Sequence, residues 1–160
     1  MPPRTTRRRA SFLLTQVGSH AAARFAERIA PLGLTPPDVG VLRLVSRSAG
    51  MSQQELASAL KLHPSRLVSI IDKLEAGELV ERQANAEDRR TYALQLTPQG
   101  RSVLTEVGRL YEAHHDALCS ALTEEEQEHL AGFLERIAAQ QGLTPGIHPG
   151  YSRLGAKPGK

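Results

Sequence analysis

A change of hydrophobic period within residues 60–97 constrains the fold more than any other feature of this chain. The first half of the stretch has apolar residues on one face of a helix, namely Leu67, Ile70, Ile71 and Leu74. After Gly77 the apolar residues alternate in two short runs, which predicts two strands joined by a polar loop over 84–90. Another short helix ends just before Lys61. The order helix, turn, helix, hairpin predicts a winged helix.

The face of the second helix that carries no apolar residues is polar and basic. Its candidate DNA contacts are His63, Pro64, Ser65, Arg66, Ser69 and Lys73. Arginine can donate two hydrogen bonds to guanine and serine can donate or accept, so Ser65, Arg66 and Ser69 are predicted to meet base edges. His63, a poor helix cap, is predicted to lie at the phosphate backbone of DNA or the edge of the major groove, and Lys73 to meet a phosphate. A solvated helix face is the alternative.

Two further segments are predicted to meet DNA. Ser52 followed by Glu55 is a capping box, which places Ser52, Gln53 and Gln54 at a helix N-terminus, where phosphates bind favourably. The hairpin loop ends in Asp88, Arg89 and Arg90. The two arginines can project into the minor groove, and Asp88 is assigned to orienting an arginine. A surface ion pair is the alternative for this loop.

Residues 34–100 resemble the MarR family of winged-helix transcriptional regulators. The similar segments are LTPPDVGVLRLV, SQQELASAL, HPSRLVSIIDKLEAGELVER and NAEDRRTYALQLTPQG. The last is the most specific, because few winged-helix families combine an acidic-then-DRR wing with LTPxG. One position departs from the pattern: the family usually has glycine directly before the Leu-Val of the wing strand, where this chain has Glu78 preceded by Gly77.

The resemblance also implies roles for particular residues. It makes Arg90 the stronger candidate for the minor groove. It places the first helix at a dimer interface beside a small-molecule crevice, so His20 and Arg24 are candidates to meet a small aromatic or anionic effector. The alternative, which the residues themselves favour, is that both are partly exposed or paired structurally. The expected protein is a DNA-binding regulator, a repressor released by such an effector.

The expected fold is mainly α with a small β wing. A winged-helix lobe over 35–97 is flanked by dimerisation helices over 11–30 and 98–140. Their apolar stripes exceed what one small domain can cover, which predicts a two-fold homodimer. Such a dimer sets its recognition helices about 34 Å apart and predicts a near-palindromic site on double-stranded DNA.

Both ends of the chain are predicted to lie outside this domain. Residues 1–10 hold two prolines and four arginines, which predicts a disordered basic arm that either contacts DNA or is simply solvated. Residues 141–160 contain eight Gly or Pro, which predicts a flexible tail.

Composition limits the remaining possibilities. The single cysteine, Cys119, excludes an internal disulfide and is interpreted as a small buried hydrophobe. There is no run of 18 apolar residues and no apolar segment behind the basic start, so neither a membrane span nor a signal peptide is predicted and a cytoplasmic protein is expected. The histidines around His114 lack metal-ligand spacing, and no nucleophile or phosphate-loop motif is present, so neither cofactor, metal nor catalysis is expected. A winged helix that binds an acidic protein remains the alternative function.

Overall fold

The computed structural model describes residues 4–84, 92–148 and 150. A single 3₁₀ turn, Ala30–Leu32, follows the first helix. The helices and strands are α1 Arg4–Ile29, α2 Pro36–Arg47, α3 Gln53–Leu60, α4 Pro64–Ala76, β1 Val80–Ala84, β2 Tyr92–Leu96, α5 Pro98–Cys119 and α6 Glu124–Gln140. The predicted fold class, mainly α with a small β wing, is therefore confirmed.

Local signals in the sequence set most of the helix starts. The hydroxyls of Ser52 and Thr123 accept a hydrogen bond from the backbone N–H three residues on. The carboxylate of the glutamate at that position accepts a hydrogen bond from the N–H of the capping residue. Thr97 accepts from the N–H of Gly100 at 2.9 Å, and a proline follows both Thr97 and Thr35. Each bond satisfies a backbone donor that the first turn would otherwise leave unpaired.

The lobe formed by α2, α3, α4 and the hairpin has one apolar core, to which the last residue of α1 also contributes. Its largest fully buried side chains are Ile29, Leu42, Leu56, Leu60, Leu67, Ile71, Leu74 and Leu94. The strands pair antiparallel, with Val80 opposite Leu96 and Ala84 opposite Tyr92. An isolated bridge from Ser52 to Ala93 attaches the start of α3 to the hairpin. The helix-turn-helix and the wing are therefore parts of one packed unit.

Helix α1 begins earlier than the sequence analysis places it. The prediction of a disordered arm over 1–10 is corrected for residues 4–10, which belong to the helix. No proline or glycine lies between Arg4 and Val17, and arginine and alanine are good helix formers, so the helix extends toward the N-terminus without an interruption. The segment predicted as a basic arm is therefore, from Arg4 onward, the first part of α1.

Helix α4 ends through a residue that is not glycine. Gly77 has φ −83°, whereas Glu78 has φ +57°, in the left-handed region. The N–H of Leu79 donates to the carbonyl of Leu74 at 2.9 Å, as in a Schellman helix end. The shift of glycine by one position relative to the family pattern thus leaves a glutamate in the strained conformation.

Helices α1, α5 and α6 leave much apolar surface uncovered. The exposed residues on them are Phe12, Leu13, Leu14, Val17, Tyr111, Leu118, Leu130, Phe133, Leu134 and Ile137.

Cys119 is partly exposed rather than buried, since it ends α5 where the chain turns. Over the part of the chain that the structure describes, no helix is long and apolar enough to cross a membrane.

The chain after α6 also differs from the expectation. The predicted flexible tail begins at 141, yet residues 142–148 form turns that bring Ile147 against the lobe core. Glycine and proline here supply turn geometry. Residues 149 and 151–160 lie outside the described residues.

Candidate functional site

The outer face of α4 is exposed, as the sequence predicts. His63, Pro64, Ser65 and Ser69 are exposed while the apolar face is buried in the lobe. Contrary to expectation, His63 does cap the helix: its Nδ1 accepts from the N–H of Ser65 at 3.3 Å and lies 2.7 Å from the Ser65 hydroxyl. The imidazole takes the place of a capping hydroxyl because Pro64 fixes an extended conformation before it. His63 therefore orders the first turn of α4.

The other predicted base-reading groups lie along the same face. The hydroxyl of Ser69 donates to the carbonyl of Ser65 at 3.2 Å, so it can turn outward only by giving up a bond within the helix. Arg66 is half-buried beside the cleft that separates α4 from the start of α2. The geometry brings Ser65, Arg66 and Ser69 onto one surface.

Lys73 has an internal partner that the sequence does not reveal. Its Nζ lies 2.5 Å from Oδ2 of Asp38, whose side chain is only 2% exposed, whereas that of Lys73 is 48% exposed. The same oxygen accepts from the N–H and hydroxyl of Thr35. Asp38 therefore caps α2 and neutralises a cation on the surface of α4.

The start of α3 offers fewer free donors than predicted. The carboxylate of Glu55 accepts from both the N–H and the hydroxyl of Ser52, and these bonds, the backbone one first, lower the pKa of Glu55. Because the Ser52 donors are occupied, Gln53 and Gln54 are left as the polar groups at this helix end. Gln54 is exposed and Gln53 half-buried.

Arg82 on β1 forms ion pairs that hold the wing against the C-terminal half of α4. Its guanidinium donates to Asp72 at 2.6 Å and also to Glu75. The hydrogen bond to Asp72 raises the pKa of Arg82 most, so the guanidinium stays charged. The predicted wing-tip residues Asp88, Arg89 and Arg90 lie outside the described residues. Sequence reasoning missed Arg82 because its partners lie on another element.

A cavity of about 310 Å³ lies between α1, α2 and α5. It is lined by Gly18, Ala21, Ala22, Phe25, Pro36, Val39, Arg43, Tyr111, His114 and His148. The guanidinium carbon of Arg43 lies 5.1 Å from the centre of the Tyr111 ring, within cation–π range. Phe25 packs edge-on to Tyr111 and 5.7 Å from His114. The lining combines aromatic rings with a permanent cation.

The cavity is not built from the two residues that the sequence suggests for it. Neither His20 nor Arg24 lines it, and Arg24 pairs with Glu27 at 2.5 Å on the exposed side of α1. His114 takes the buried position: burial lowers its pKa most, and the charges of Arg28 and Arg24 lower it further. The neutral imidazole can therefore donate or accept one hydrogen bond in the cavity at pH 7.

Within the described residues, no group of three or more His, Cys, Asp or Glu side chains is placed to hold a metal ion. His114 is buried, whereas its neighbour His115 points to solvent, with Nε2 3.0 Å from Oε1 of Gln127. Adjacent positions on a helix diverge in this way.

A helix-turn-helix with an exposed second helix, an antiparallel wing and flanking apolar helices defines a winged-helix DNA-binding protein. The profile of the MarR family matches residues 32–91. The chain is 31% identical over 105 residues to the HTH-type transcriptional regulator MhqR of Bacillus subtilis, covering 66% of this chain and 72% of that protein. The chain belongs to the MarR family and is a DNA-binding transcriptional regulator.

Two solved structures are similar to the chain in sequence as well as in fold. The transcriptional repressor CouR, bound to a 23-mer DNA duplex, is 30% identical with a TM-score of 0.72, over 80% of this chain and 91% of that one. The family member Rv2887 of Mycobacterium tuberculosis, in complex with p-aminosalicylic acid, is 28% identical with a TM-score of 0.66, over 80% of this chain and 97% of that one.

Proposed function

We propose that the chain is a repressor that binds a near-palindromic DNA site as a homodimer and leaves it when a small aromatic or anionic ligand fills the cavity. The observation that carries the proposal is that α4 is buried on one side only. Its apolar side is locked into the lobe core, while its polar side is exposed along successive turns. A helix held in this way suits the major groove, whose width admits one helix.

Each predicted contact has a physical role in this proposal. Ser65, Arg66 and Ser69 meet base edges, and the N-terminus of α3 with Gln53 and Gln54 meets a phosphate. Arg89 and Arg90 reach the minor groove, with Asp88 orienting one of them. His63 acts mainly by ordering the first turn of α4.

Dimerisation follows from the uncovered apolar faces of α1, α5 and α6. Exposed apolar area of this extent marks an interface. The charges are complementary as well, since residues 102–140 carry eight acids and two arginines, whereas residues 1–30 carry six arginines and one acid. A two-fold pairing that brings α1 of one subunit to α5 and α6 of the other places the excess positive charge of the first against the excess negative charge of the second.

The cavity is suited to a ligand with an aromatic ring and one anionic group. Phe25 and Tyr111 offer ring contacts, and Arg43 supplies the cation. The relative Rv2887 was solved with p-aminosalicylic acid, which has this chemistry.

The first turn of α2 offers a route from the cavity to the DNA-facing helix. Pro36 and Val39 line the cavity, while Asp38 between them holds Lys73 on α4. A ligand that shifts this turn therefore also shifts α4, which changes the spacing of the two recognition helices in the dimer. Acting by binding alone, such a regulator needs no catalytic group, and it meets its DNA in the cytoplasm.

Selection from random duplexes, followed by fluorescence anisotropy with the enriched sequence, tests the proposal. Arg66→Ala should weaken binding about 10- to 100-fold, the loss expected for one bidentate base contact. Arg109→Ala, which removes an exposed arginine of α5, is the matched control and should bind like the parent. Equal affinity of both variants, or no enriched sequence, would exclude DNA reading by α4 and favour a protein partner.

A further inference from the structure

The chain turns sharply where α6 ends. Gly142 has φ +66°, and the N–H of Leu143 donates to the carbonyl of Ala138 at 3.0 Å, which closes the helix as a Schellman motif. Left-handed backbone is accessible to glycine without steric cost. The chain therefore leaves α6 in a defined direction.

A β-turn follows at once. The N–H of Ile147 donates to the carbonyl of Thr144 at 3.1 Å, with Pro145 and Gly146 as the central residues. Gly146 has φ +73°, so the pair Pro-Gly fits a type II turn. Residues 142–148, here named the C-terminal strap, are thus shaped by two successive turns.

The C-terminal strap meets the winged-helix lobe at three points. Ile147 packs against the apolar core, and a Cβ built on Gly146 would lie 3.8 Å from Nη1 of Arg47, in the last turn of α2. His148 lines the cavity together with residues of α1, α2 and α5. The strap therefore connects α6 to the lobe, and its last residue, His148, forms part of one side of the cavity.

We infer that the C-terminal strap is the closing wall of the cavity and restricts it to ligands of about one aromatic ring. Ile147 is the anchor, and His148 is the part of the wall that faces the ligand. The volume of about 310 Å³ is at the lower end of the ~300–1,000 Å³ typical of ligand pockets. That a ligand binds there rests on the proposed function; that the strap closes the cavity does not.

Thiol labelling measures the closure without any ligand. In a Cys119→Ser background, Ala22→Cys places a thiol in the cavity wall and Ser58→Cys places one on the exposed side of α3. Each is treated with a small reagent, iodoacetamide, and a bulky one, fluorescein maleimide. With the strap intact, the thiol of the Ala22→Cys variant should react well with the small reagent and slowly with the bulky one, relative to the Ser58→Cys thiol.

Loosening the strap should remove this size selection. Ile147→Ser takes away the anchor and should raise the bulky-reagent rate in the Ala22→Cys protein at least about fivefold, because local opening becomes more frequent. Gly146→Val strains the turn without touching the core packing and should act in the same direction. Leu143→Ser, at an exposed position of the same segment, is the matched control and should change little.

The inference is overturned if Ile147→Ser and Gly146→Val both leave the bulky-reagent rate unchanged, or if Leu143→Ser raises it equally. Circular dichroism of each variant establishes that the helices remain folded. A separate titration of the parent with p-aminosalicylate tests the proposed function. Absence of binding there would count against the effector role and leave the labelling result to decide the strap.

Discussion

The Nζ atom of Lys73 and the Oδ2 atom of Asp38 lie 2.5 Å apart, although the lysine belongs to the exposed face of α4 and the aspartate is buried in α2. This oxygen also accepts two hydrogen bonds from Thr35. The carboxylate of Asp38 therefore caps α2 and at the same time holds α4 in position. The contact joins α4 to the first turn of α2, which lines the cavity. A Lys73 contact with a DNA phosphate would have to compete with Asp38.

The two residues should contribute to stability as a coupled pair. Lys73→Met leaves a buried carboxylate without its cation and should cost about 2 kcal/mol, less than a fully buried pair because Lys73 is half-exposed. Asp38→Asn weakens the cap as well and should cost about 1–2 kcal/mol. In urea denaturation the double variant should lose less than the sum. Strict additivity of the two free energies would show that the contact is not formed.

The end of α4 should be improvable by moving the glycine. Glu78→Gly relieves a left-handed φ of +57° and should raise the free energy of unfolding by about 0.5–1 kcal/mol. Gly77→Ala should add a similar amount, since its φ is −83° and a Cβ there meets nothing closer than 3.5 Å. Glu78→Ala keeps the strain and is the control. A gain from Glu78→Ala equal to that from Glu78→Gly would exclude backbone strain as the cause.

The elements could be predicted from the sequence because their signals are local. Capping hydroxyls such as Ser52 and Thr123 act on residues three positions away, and the change of period after Gly77 is contained in a few residues. The partners of Lys73 and Arg82 could not be predicted, because Asp38 is 35 positions from Lys73 and many acids were available to either cation. The partners in an ion pair are determined by how the helices and strands pack, and a local sequence pattern does not specify that packing.

The cavity shows the same limit. His20 and Arg24 are at the right helical spacing to face a crevice, yet which side of α1 is covered depends on how α5 packs against it. The packing of α5 places His114 in the cavity, and the approach of α2 adds Arg43. The return of the C-terminal strap to the lobe was also hidden, since glycine and proline indicate turns without indicating what the turned segment contacts.

Gly100 should be the least replaceable glycine of α5. A Cβ there would lie 1.9 Å from the carbonyl oxygen of Leu79, which is backbone and cannot rotate away. Gly100→Ala should therefore cost about 3 kcal/mol or more and lower the melting temperature. Gly108→Ala on the same helix meets nothing within 4 Å and should stabilise by up to about 1 kcal/mol. If both substitutions proved equally mild, Gly100 would not lie as close to the backbone of Leu79 as the structure places it.

His114 should make stability depend on pH. The imidazole is buried beside Phe25, and the groups whose charges reach it, Arg28, Arg24, His115 and His20, are all basic. Its pKa is therefore lower in the folded chain than the ordinary value of 6.5 in the unfolded chain. Below that value the unfolded state binds the proton first, so protonation favours unfolding.

The contribution of His114 should accordingly be complete above about pH 6.5 and be lost as the pH falls through the folded pKa. Urea denaturation at intervals from pH 8 to pH 5 should show the free energy of unfolding decreasing toward acid. His114→Gln, which cannot be protonated, should flatten this decrease, whereas His129→Gln, at an exposed position of α6, should keep the slope of the parent. A slope that His114→Gln leaves intact would mean that other groups cause the acid sensitivity, and that the imidazole is not held neutral by the cavity.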